Sequence, residues 1–143
     1  MNNEREIKFR AWDKKENKMQ QVVQILYGHE ASNYPLSVDF FRSVKSRLIK
    51  DIELMQYTGL KDKNGVEIYE GDIIDYLGTF ESGDGYRGEI KFDEGVYYFM
   101  GKSKIGRKAG VISSYVGLAH EKAYQHCEVI GNIYENPELL TKL

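Results

Sequence analysis

The sequence has one cysteine, two prolines and one tryptophan in 143 residues, and its charges nearly cancel, leaving a formal net charge of -2. A lone Cys127 excludes a disulfide within the chain and fits a reducing, cytoplasmic setting. Long apolar stretches are missing as well. The longest runs reach five residues, Val96 to Met100 among them, against about 20 needed to cross a bilayer as a helix, so no membrane partner is expected. No secretory signal is expected either, because Glu4, Arg5, Glu6, Ile7, Lys8, Phe9 and Arg10 mix charge with hydrophobe at the start. Near-neutrality at 29% charged residues argues against extensive disorder and against nucleic-acid binding through bulk charge. What the sequence does have is aromatics and glycine: eleven Tyr, six Phe and fourteen Gly. Tyr and Phe favour half-buried strands and Gly the tight turns between them.

The pattern along the chain agrees. Ile7, Phe9 and Ala11 alternate with polar residues, a polar turn follows from Asp13 to Lys18, and Met19 to Leu26 returns as a strand. Ser37 or Asp39 is read as the cap of a short helix carrying Phe40, Val44, Arg47 and Leu48 at spacings of three and four. From Glu53 onward short strands alternate with turns. Asp62-Lys63-Asn64-Gly65 and Asp93-Glu94-Gly95 read as hairpin turns, Glu70-Gly71-Asp72 as a break, Leu118 to Tyr124 as a short helix and Glu128 to Tyr134 as a last strand. Asn136-Pro137-Glu138 opens a terminal helical turn with Pro at its first position. These elements predict a mainly β (β-rich α+β) protein: a small antiparallel β-barrel or curled sheet with an N-terminal hairpin and one or two short helices. One domain spans 1–143, with a hairpin and helix sub-lobe at 1–50 and a barrel-like part at 51–137. Trp12, Tyr57, Ile68, Ile73, Ile90, Phe92, Val129 and Ile133 are expected in the core, and Gly59, Gly65, Gly71 and Gly95 at turns that only glycine suits.

Three blocks resemble the YopX family. They are Arg5 to Asp13 (REIKFRAWD), Met55 to Ile74 (MQYTGLKDKNGVEIYEGDII) and Glu128 to Pro137 (EVIGNIYENP), in the family's order and spread over nearly the whole chain. The resemblance implies a small β-rich protein carried by bacteriophages and prophages, mainly of Gram-positive bacteria, and hence action in the bacterial host cytoplasm. It brings no established biochemical role and no catalytic residues to carry over.

The residues themselves offer no enzyme constellation. Gly101-Lys102-Ser103 ends like a phosphate-binding loop, but Gly95 stands one residue too far away and the spacer Val96 to Met100 reads as a strand. Gly83 to Gly88 matches G-x-G-x-x-G, yet strand-like residues follow where a dinucleotide site needs a helix. Asp62-Lys63-Asn64-Gly65 has its glycine at the fourth position of a would-be calcium loop instead of the sixth. His120, His126 and Cys127 lie close in sequence without a fourth ligand at a zinc spacing. No catalytic residue, cofactor or metal is therefore expected. The function expected is a non-catalytic protein-interaction module whose partner is another protein or a second copy. The alternative is a nucleic-acid-binding β-barrel, resting on Lys102, Lys104, Arg107 and Lys108 beside an aromatic hairpin with Tyr97, Tyr98 and Phe99. Tyr97, Tyr98, Lys102, Lys104, Arg107 and Lys108 form the candidate binding surface. The acidic second half, net -3 over 71–143, makes that basic segment stand out.

Overall fold

Alternating residues become strands almost throughout. The structure is a computed structural model that describes residues 4–28, 36–77, 85–103 and 114–141. Its strands are β1 (Phe9–Asp13), β2 (Lys18–Leu26), β3 (Ser37–Phe40), β4 (Ser46–Leu48), β5 (Ile52–Lys61), β6 (Glu67–Tyr69), β7 (Asp72–Tyr76), β8 (Tyr86–Asp93), β9 (Val96–Ser103), β10 (Ser114–Gly117) and β11 (Cys127–Asn132). Short 3-10 segments cover Ile49–Asp51 and His120–His126, and α1 (Glu138–Thr141) is a single turn. No helix among the described residues is long and apolar enough to cross a membrane.

The strands form a six-stranded sheet in the order β4-β3-β2-β1-β5-β6 and a five-stranded sheet in the order β10-β9-β8-β7-β11. The pairs β1–β2, β1–β5, β2–β3, β3–β4, β7–β8, β7–β11, β8–β9 and β9–β10 are antiparallel. Among the described residues neither sheet closes on itself. Of the two architectures expected, the open curled sheet is the one observed and the closed barrel is not. The chain divides into two compact units, Met1–Tyr57 and Thr58–Leu143, so the division falls inside β5.

In the first unit Ala11, Val22, Val38, Phe40 and Ile52 are buried, with Phe9, Ile25 and Leu54 packed against them. Ala11 and Phe9 follow the period-two expectation, and the same period continues to Asp13, whose side chain is fully buried. A carboxylate is tolerated there because its bonds are satisfied. Asp13 accepts from the amides of Lys15 (2.9 Å) and Glu16 (3.3 Å), from Gln20 Nε2 (2.9 Å) and from Arg47 Nε (3.1 Å). Burial alone would raise the Asp13 carboxyl; the Arg47 guanidinium and the two amides together outweigh it and hold the group below its usual range.

Arg47 sits in a strand and not in the expected helix. Residues Ser37–Phe40 and Ser46–Leu48 pair as a hairpin, with Val38 and Phe40 buried on alternate positions. The helical spacing of Phe40 and Val44 was therefore incidental, and Val44 is fully exposed. Trp12, on the opposite parity from Ala11, is half-buried and not central to the core.

The second unit is built around Ile68, Ile74, Ile90, Phe99, Leu118 and Cys127, all buried, flanked by Leu60, Tyr76, Tyr97, Val116, Tyr124 and Val129. Tyr57, in the first unit, and Ile73 are buried as expected, while Val129 and Ile133 are half-buried. Phe92 departs from expectation at 51% exposed. It shares the parity of Ile90 but stands at the hairpin end, where its ring leans on Tyr97 at 4.8 Å. The four turn glycines all adopt positive φ.

Asp62 is the organiser of the Asp-Lys-Asn-Gly turn. Its Oδ1 accepts the amides of Asn64 (2.8 Å) and Val66 (2.9 Å), and its Oδ2 accepts the amide of Val129 in β11 (2.9 Å). Lys63 N donates to Cys127 O (3.0 Å). The turn thereby covers backbone groups on the edge of β11 that would otherwise lie open.

Candidate contact surface

Strands β8, β9 and β10 carry a partly apolar surface that is open to a partner. Their pairing is in register: Ile90 opposes Phe99, Lys91 opposes Tyr98, and Tyr115 and Val116 oppose Met100 and Phe99. Because successive side chains in a strand point to opposite faces, Ile90, Phe99 and Val116 turn into the core. Glu89, Lys91, Tyr98, Met100 and Tyr115 consequently turn out together.

This outer face is partly apolar and open. Tyr115 is 58% exposed and Met100 40%. The Tyr98 and Tyr115 rings stack at 4.8 Å with an interplanar angle of 26°. Beside them lies a cleft of about 200 Å³ lined by Arg87, Gly88, Glu89, Lys91, Met100 and Leu140. Gly88 is needed at its floor, since a Cβ there would stand 2.7 Å from Met100 O. One end is closed by a clasp. Arg87 donates from Nε (2.7 Å) and Nη2 (3.1 Å) to the Asp75 carboxylate and from Nη1 to Leu139 O (3.3 Å), which ties α1 to the sheet. Arg87 is thus a positioning group. By contrast, Glu89 and Lys91 approach only to 3.8 Å and have no other polar partner among the described residues. Beyond hydrogen-bond distance, both retain capacity for an external group.

The expected surface residues separate on this geometry. Tyr98 lies on the outer face. Tyr97 is turned away from it, half-buried against the core, and Phe99 is completely buried. The expectation that Tyr97 and Tyr98 belong to one binding surface is corrected by strand alternation, which turns them to opposite faces. Lys102 lies in β9. Lys104, Arg107 and Lys108 lie outside the described residues. Sequence reasoning did not single out Glu89, Lys91, Met100 and Tyr115, although the period of two through Ile90 and Phe99 carries the signal for the first three.

The weak motifs are placed too. Gly101, Lys102 and Ser103 are in strand β9, and Tyr86, Arg87 and Gly88 open strand β8, so the G-x-G-x-x-G pattern runs into a strand and not a helix. Asp62 turns its carboxylate to backbone amides. Cys127 is buried and its thiol donates to Ala123 O (3.2 Å); burial, with the Asp62 charge adding, pushes its pKa up to about 12. The His120 side chain is 77% exposed. Among the described residues no three His, Cys, Asp or Glu side chains gather as a metal site requires.

A family model described as YopX protein matches residues 8–141. The chain belongs to the YopX family. Its fold is similar to that of protein EF1440 from Enterococcus faecalis, with 29% identity, a TM-score of 0.57 and coverage of 96% of this chain and 99% of that one. It is also similar to the YopX-family protein yopX from Bacillus subtilis, with 20% identity, a TM-score of 0.61 and coverage of 98% and 97%; at that identity the likeness is one of fold. No curated protein matches the chain.

Proposed function

We propose that this YopX-family chain is a non-catalytic protein-interaction module, an accessory protein of phage or prophage origin acting in the bacterial cytoplasm, and that it docks through the outer face of β8, β9 and β10. The observation that carries this reading is the contiguous set of Tyr98, Met100 and Tyr115 beside a cleft, rimmed by the loosely paired Glu89 and Lys91. Aromatic residues and methionine are enriched where proteins meet, with charged groups at the rim. Family membership and the lone buried cysteine support the setting.

The test uses the full chain as bait in lysate of the bacterial host, compared with a Tyr115→Ala/Met100→Ala variant. A protein retained by the wild type and lost by the variant supports the reading. Equal retention by both contradicts the assignment of the face. A second reading is favoured by the stacked Tyr98 and Tyr115 beside Lys91, which resembles a stacking platform for single-stranded nucleic acid. Retention of an oligonucleotide at low salt, falling steeply as salt is added, would favour it over the first.

A further inference from the structure

The outer face of the five-stranded sheet is complementary to itself. Glu89 and Lys91 point outward from one strand, two residues apart and 3.8 Å from one another, with Ile90 between them pointing inward. Consider a twofold axis lying in the plane of contact and crossing the strands at Ile90. It reverses the strand direction, so Glu89 of one copy opposes Lys91 of the other, and Lys91 opposes Glu89. On β9, Tyr98 is level with Lys91 and Met100 is one outward position further along. The same rotation therefore sets the Tyr98 ring against the Met100 thioether of the other copy, a favourable sulfur–aromatic contact. On β10, Tyr115 is level with Met100 and Gly117 is level with Tyr98. Tyr115 then falls over the glycine of the other copy, where no side chain stands.

Glu89, Lys91, Tyr98, Met100 and Tyr115, the outward groups nearest the axis, each meet a position that suits them. We infer that the occupant of this face is a second copy of the chain, packed face to face about an axis at Ile90, with two Glu89–Lys91 pairs across a Tyr and Met centre. This inference rests on the reading of the face as a protein-contact surface and names its partner. One feature favours a second copy over a partner of one charge: the acid Glu89 and the base Lys91 sit symmetrically about one strand position.

The experiment is sedimentation equilibrium of the full chain from micromolar to several hundred micromolar, for the wild type, Glu89→Lys, Lys91→Glu and an equimolar mixture of the two variants. Thermal melts confirm that each variant folds. The wild type is expected to reach a dimer. Each single variant places like charges opposite one another twice and weakens association at least tenfold. The mixture restores it, because a heterodimer of the two re-forms both pairs. A wild type that stays monomeric, a dimer indifferent to both variants, or a mixture no better than its components overturns the twofold pairing. A monomeric wild type that still captures a different protein through Tyr115 and Met100 overturns this pairing and leaves the reading of the face standing.

Discussion

Asp62 and Asp13 show what a short polar side chain accomplishes at a strand end in this protein. The Asp62 carboxylate serves three backbone amides, one of them in β11, 67 residues away in sequence. Hydrogen bonds to charged groups contribute about 1.5–3 kcal/mol each, and removal of one partner leaves the others uncompensated. Asp62→Ala is expected to destabilise the chain by about 2–4 kcal/mol, a fall in Tm of about 10 °C at this size. Differential scanning calorimetry checks it. The turn itself was legible, because Asp before Asn-Gly is turn chemistry. Its bond to Val129 was not, since nothing local in the sequence reports which distant amide a carboxylate meets. Burial of Asp13 was hidden for a related reason: its charge suggests a surface turn, while its parity with Phe9 and Ala11 places it inward.

Glu16 extends the Asp13 network outward. Hydrogen bonds from the Lys18 and Lys45 ammonium groups hold the Glu16 carboxyl down at about 2. A carboxyl whose pKa is depressed by folding contributes stability that is fully present above its unfolded value, about 4.3, and is lost as the pH falls through the folded value. Asp13, shifted in the same direction, adds to this. The Tm is therefore expected to fall as pH drops from 5 to about 2, and Glu16→Gln should flatten that slope without abolishing it. A wild-type Tm constant across the window contradicts the assignment.

At the scale of elements, the β8–β9 hairpin defines the contact face. Asp93 pairs with Val96, leaving Glu94 and Gly95 as a two-residue turn with both φ positive, at 48° and 81°. Such a turn matches the twist of its strands and prefers Asn-Gly. Glu94→Asn is expected to raise stability by about 0.5–1 kcal/mol, since Asn tolerates the left-handed region better than Glu. Gly95→Val should lower it by about 1–2 kcal/mol through backbone strain alone, because the space around a Cβ there is open. Chemical denaturation with an unchanged m-value separates these from changes of compactness.

Glycine positions made this hairpin legible in the sequence, and alternation then decided its faces. The β3–β4 hairpin was misread because a tight turn at Phe41 to Lys45 spaces Phe40, Val44 and Leu48 as a helix would. Arg42 there takes a positive φ that its sequence does not announce. Tyr97 was misplaced on the open face for a simpler reason: composition marks a residue as suited to an interface, but only register tells which way it points.

For the whole molecule, YopX-family membership and the two open antiparallel sheets agree with a β-rich reading made from aromatics, glycines and short alternating runs. Family membership does not locate a working surface. That came from the fold, which turns Glu89, Lys91, Tyr98, Met100 and Tyr115 to one side of a single sheet while the adjacent Ile90 and Phe99 close its core. The account's central claim is that a second copy of the chain packs on this side. Amide and methyl NMR spectra of the isotope-labelled full chain, recorded from dilute to concentrated solution, test it most directly. The account predicts concentration-dependent shifts centred on Glu89, Lys91, Tyr98, Met100 and Tyr115, with the β1–β4 region unmoved; shifts centred on β1–β4, or none up to millimolar concentration, would contradict it.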